Sequence, residues 1–152
     1  MKFLAFVILV SCASINNSFA APLFISKPEE AARSESIIVA EYIGYRLPKE
    51  GKIDYFVPPV ATYKIIEVFK GALQPQDTVE ILYSFHDASA CIAEQGWKFS
   101  EKLMPAKGSR WILFIERRAE DSGEVPYSTY RGDYGRWPAN DKNLVAVRGM
   151  IK

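Results

Sequence analysis

One thiol and one imidazole stand close together in the stretch His86-Asp87-Ala88-Ser89-Ala90-Cys91, with a carboxylate beside the imidazole. Those residue types can make a thiolate nucleophile, in which the imidazole takes the thiol proton and the carboxylate orients the ring. Closeness within one loop does not set hydrogen-bond geometry. A small cysteine packed among Ala88, Ser89, Ala90 and Ile92 is the competing reading, and the preferred one. A thiol-dependent or hydrolytic enzyme using Cys91 and His86 is therefore the second reading of function, and no residue is assigned as catalytic. Metal chemistry has less support. A structural zinc site wants four cysteine or histidine ligands, and the whole chain holds two cysteines and one histidine. Acidic residues at calcium-loop spacing, phosphate-cradling glycine runs and H-E-x-x-H are all absent, so the sequence implies no cofactor.

Tyr127-Ser128-Thr129-Tyr130-Arg131-Gly132-Asp133-Tyr134-Gly135-Arg136-Trp137-Pro138 interleaves rings, guanidinium groups and glycines without helix or strand periodicity. Tyrosine, tryptophan and arginine dominate binding hot spots, which makes Tyr130, Arg131, Tyr134, Arg136 and Trp137 the candidate contact residues. The competing reading is a glycine-rich loop pinned to the core by its rings, with the arginines stacked on rings or paired with Asp133. Arg131-Gly132-Asp133 spells an adhesion tripeptide, but three residues are too few to carry that inference. Trp97-Lys98-Phe99 reads as a plug at one end of the fold.

The elements that must position these groups are mostly strands. Ser26-Lys27-Pro28-Glu29 is a capping box for a short helix through about Arg33. Ser36 to Tyr45, Ala61 to Phe69 and Thr78 to Phe85 are rich in β-branched and aromatic residues and read as three strands. Ser100 to Met104 is a short helix capped by Ser100 and stopped by Pro105. Arg110 to Glu116 is a strand apolar on both faces and so central, and Pro126 to Gly132 is the fifth strand. Asn140 caps a last helix on which Leu144, Val147, Arg148 and Ile151 share a face. Three strands, a short helix and two strands is the order of a five-stranded OB-like barrel, here with an added C-terminal helix. A plain β-sandwich is the rival arrangement.

The first twenty residues set the address. Lys2, the apolar run Phe3 to Val10 and the small-residue end Ser18-Phe19-Ala20 read as a signal peptide cut before Ala21. Residues 21–152 then form one domain, exported to the periplasm or secreted, with Cys91 as a free thiol. Leu9-Val10-Ser11-Cys12 offers a second route, lipidation at Cys12. The apolar run is too short for a transmembrane segment. The chain carries 19 basic and 18 acidic residues, and this balance gives no electrostatic case for nucleic acid.

Two segments carry a resemblance. Tyr63-Lys64-Ile65-Ile66-Glu67-Val68-Phe69-Lys70-Gly71 resembles the second-strand signature of netrin-like modules, the family of the tissue inhibitors of metalloproteinases. Gly108-Ser109-Arg110-Trp111-Ile112-Leu113-Phe114 is similar to a later strand of that family. The resemblance spans roughly residues 37–116 and implies an OB-like barrel of a bacterial-type exported protein. It does not imply protease inhibition, because those inhibitors begin with a zinc-binding cysteine and this chain would begin Ala21-Pro22-Leu23. The reading that follows is an exported, non-enzymatic binding module for a protein partner or a small ligand.

Overall fold

The computed structural model describes residues 28–48, 53, 55–85, 96–116 and 126–151. The leader, Cys12, the capping residue Ser26 and both His86 and Cys91 lie outside the described residues. The chain is mainly β. Strands β1 (Ser36–Arg46), β2 (Val60–Lys70), β3 (Thr78–Leu82), β4 (Arg110–Ile115) and β5 (Arg136–Pro138) form one antiparallel sheet in the order β3-β2-β1-β4-β5. Helix α1 (Pro28–Ala31) precedes the sheet and helix α2 (Asp141–Met150) follows it.

Strand alternation sorts the apolar residues into two cores. Ile38, Ala40 and Tyr42 of β1 share one face with Tyr63 and Ile65 of β2, Ile81 of β3 and Leu113 and Ile115 of β4. Ile37 and Val39 point the other way, joining Ile112, Phe114 and Val147 of α2. The β1–β2 ladder shifts register between Ile37/Ile38, Val39/Ala40 and Tyr42/Gly44. Such bulges bend and twist a ribbon, which lets two long strands curl around the first core. Gly71 ends β2 at φ +105°, where a Cβ would lie 2.2 Å from Ser36 Oγ. Only glycine meets both conditions at once.

Both ends of α2 behave as the sequence expects. Asn140 Oδ1 accepts from Asn143 N at 2.9 Å, Val147 is fully buried, and Leu144 and Ile151 pack on the same core. Arg148 stays at the surface, near Glu67 at 3.3 Å and over the Phe69 ring. A 3₁₀ turn, Glu101–Leu103, replaces the expected short helix, with Ser100 as its cap.

The ladder of five strands is open, with β3 and β5 at its edges. β1 lies in the middle of the ladder, and β4 beside it is an interior strand as expected, buried on both faces from Ile112 to Ile115 because Leu113 and Ile115 face one core and Ile112 and Phe114 the other. The fifth strand is Arg136–Pro138 and not Pro126 to Gly132. In the earlier stretch only Tyr127 and Thr129 make bridges, Ile81↔Tyr127 parallel and Ile115↔Thr129 antiparallel. Arg131 and Gly132 then enter the left-handed region at φ 46° and 62°, which ends the extended run.

Candidate functional site

β5 is short, but its alternation does two jobs. Trp137 points into the core beneath α2, its ring 4.9 Å from that of Phe114, and its Nε1 donates to Tyr134 O at 2.9 Å. Arg136 points to the opposite face, where its side chain is 5% exposed. The turn before it is built tightly. Thr129 Oγ1 donates to Gly132 O at 2.8 Å, and a Cβ on Gly135 would lie 2.5 Å from Tyr130 N.

Inside, the Arg136 guanidinium lies over the Tyr83 ring at 3.8 Å from its centroid. Its Nη2 donates to the carbonyl of Ser84 and to Asp133 Oδ1. Its Nη1 is buried without a hydrogen-bond partner. A buried cationic donor left open is costly, since it has lost water and gained nothing in its place.

Arg136 forms part of the wall of a cavity of about 440 Å³. Tyr83, Phe85, Trp97 and Trp111 supply aromatic walls, Leu103 an apolar rim, and Asp133 a carboxylate. The rings brace one another, with Phe85 at 5.4 Å from Tyr83 and 5.2 Å from Trp97. Trp111 is fixed by its Nε1, which donates to Ser109 Oγ at 2.9 Å. Deeper in the same core, Tyr42 packs edge-on against Tyr63 at 5.4 Å. Burial pushes the Tyr42 phenol up to about 12 and raises those of Tyr63 and Tyr83, against a pull downward from Arg136 on the last two. All three are neutral hydroxyls at ordinary pH. Tyr63 Oη, like Arg136 Nη1, is buried with no partner.

A wider cleft of about 850 Å³ opens elsewhere, beside Glu30, Arg33, Ser34, Glu35, Glu116 and Tyr130. Two of its carboxylates are already engaged, while the buried Ser34 Oγ has no hydrogen-bond partner. Tyr130 Oη donates to Glu30 Oε2 at 2.9 Å, and Ser128 Oγ to Glu116 Oε2 at 3.5 Å. Burial raises the Glu116 carboxyl, an effect that the Ser128 hydroxyl partly opposes. The smaller cavity joins apolar walls to a few convergent polar groups, which is the usual character of a ligand site.

The residues singled out from sequence are therefore dispersed. Arg136 enters the aromatic cavity. Trp137 packs on the opposite face, and Tyr130 lines the wider cleft. Arg131 lies 5.7 Å from the Tyr134 ring, in the turn between those faces. Sequence reasoning missed Tyr83, Phe85, Leu103, Trp111 and Asp133 as one group, and Trp97 was read only as a plug. Their signal is divided among four segments, 83–85, 97–103, Trp111 and Asp133, and only the alternation of Val79, Ile81 and Tyr83 with Thr78, Glu80 and Ser84 marks Tyr83 as inward-facing. Among the described residues no group of three or more histidine, cysteine, aspartate or glutamate side chains could hold a metal ion, and no helix is long and apolar enough to cross a membrane.

The chain matches no protein-family model, and no curated protein is significantly similar to it.

Proposed function

We propose that this protein is an exported, non-enzymatic binding module with a netrin-like, OB-like core, and that the cavity at Arg136 is its binding site. The observation that carries the reading is the Arg136 guanidinium, stacked on Tyr83 and buried with Nη1 unpartnered in the wall of a cavity that three further rings line. A chain does not gain stability by leaving a buried cationic donor open, whereas a binding site uses such a donor to orient what enters. The barrel reading draws support from the 127–129 segment, which bridges β3 on one side and β4 on the other. A parallel contact to the third strand and an antiparallel contact to the fourth link the β3 edge to the neighbour of the opposite edge, the connection that a barrel would need. The two segments that resemble netrin-like modules fall on β2 and β4, the two neighbours of β1. Export rests on the leader pattern of residues 1–20.

Two measurements test this. Intact mass of the protein recovered from the exporting cell should show cleavage after Ala20; a lipid mass on Cys12 would move it to a membrane surface. Titration of ring-bearing fragments, followed by the indole N–H resonances, should shift Trp97 and Trp111 and leave Trp137 in place. If no fragment moves Trp97 or Trp111, the cavity is not the binding site.

A further inference from the structure

Resting on that reading, the charges around the cavity define what it accepts. The Arg136 cation and the Asp133 carboxylate are joined through Nη2, so the pair brings no net charge. Asp133 is 47% exposed while Arg136 is 5% exposed, so the carboxylate stands at the solvent side and the guanidinium at depth. Among the described residues of the cavity wall, Nη1 is the buried donor without a hydrogen-bond partner, and Tyr83, Phe85, Trp97 and Trp111 share that wall.

A ligand with its own carboxylate would bring an excess negative charge close to Asp133, and its lost hydration would be poorly repaid. An ammonium group would meet the guanidinium. A wholly apolar ligand would fill the space but keep Nη1 open. An oxygen acceptor on a neutral group satisfies Nη1 and adds no charge. The geometry points to an uncharged, ring-bearing ligand with an oxygen acceptor such as an amide carbonyl, its ring among Phe85, Trp97 and Trp111 and its oxygen on Arg136 Nη1.

The test uses three probes of one shape: indole-3-acetamide, indole-3-acetate and 3-ethylindole, titrated at neutral pH by calorimetry and by the Trp97 and Trp111 indole resonances. Indole-3-acetamide should bind roughly tenfold or more tightly than 3-ethylindole, the effect of one hydrogen bond to a charged donor. It should also bind more tightly than indole-3-acetate. Asp133→Asn frees the guanidinium charge, and indole-3-acetate should then equal or overtake the acetamide. Arg136→Met should abolish the acetamide's advantage while 3-ethylindole binding stays. If that variant does not fold, Asp133→Asn and the wild-type probe series decide the matter alone. Equal binding of acetamide and 3-ethylindole overturns the assigned ligand class and leaves the binding reading standing, as does tightest binding of the acetate to the wild type. Failure of all three to move either indole overturns both.

Discussion

A guanidinium only 5% exposed has surrendered most of its hydration, and a ring, a carbonyl and a carboxylate replace it. Removing such a group leaves Tyr83 uncovered and the Ser84 carbonyl without its donor. Arg136→Ala should therefore cost about 3 kcal/mol in urea unfolding, well above a surface substitution. The phenols give a second expectation. Tyr42, Tyr63 and Tyr83 are all raised above 10, so the native state holds their protons longer than the unfolded chain does. The stability this contributes is complete below pH 10 and is lost as pH climbs through the folded values. Absorbance titration near 295 nm should show part of the tyrosine signal held back until the fold opens. Glu116 follows the same sign at lower pH. Its carboxyl is raised above 4.5 by burial, so it destabilises the fold progressively as pH rises past that value. Glu116→Gln should melt close to the wild type at pH 4 and above it at pH 7. At this scale little was legible. Arg131 and Arg136 are the same residue type five positions apart, and only the left-handed turn at 131–132 decides which of them is buried.

Strands one, two and four, and the C-terminal helix, were readable almost to their ends, because their apolar periodicity is long and its boundaries are marked by glycine, proline or a capping asparagine. The fifth strand was not. Three residues cannot display a period, and the more strand-like Tyr127 to Tyr130 makes only single bridges. Two substitutions test the element boundaries. Gly71→Ala must accept both φ +105° and a Cβ 2.2 Å from Ser36 Oγ, and should lose more than about 2 kcal/mol. Asn140→Ala removes the acceptor for Asn143 N and should lose about 1 kcal/mol, seen as helical signal fading before the sheet unfolds.

Across the molecule, one sheet separates two apolar compartments, one curled within the bend of β1 and β2 and the other roofed by α2. The sequence announced a mainly β domain with a helix at its end. It could not announce the cavity, whose walls come from segments as far apart as Tyr83 and Arg136 and meet only when the sheet is built. Ile81→Ala and Val147→Ala lie in different compartments with no shared partners, so their losses in denaturant unfolding should add to within about 0.5 kcal/mol.

β5 pairs with β4 through Leu113↔Arg136 and Ile112↔Trp137. Sliding that strand by a single residue would exchange the two side chains, driving a cation under α2 and an indole into the cavity. No halfway position exists between these frames. The edge strand is thus a lock with one keyed setting: an insertion in the 132–135 turn that slides β5 by one residue alters the cavity and unseats the helix in the same movement.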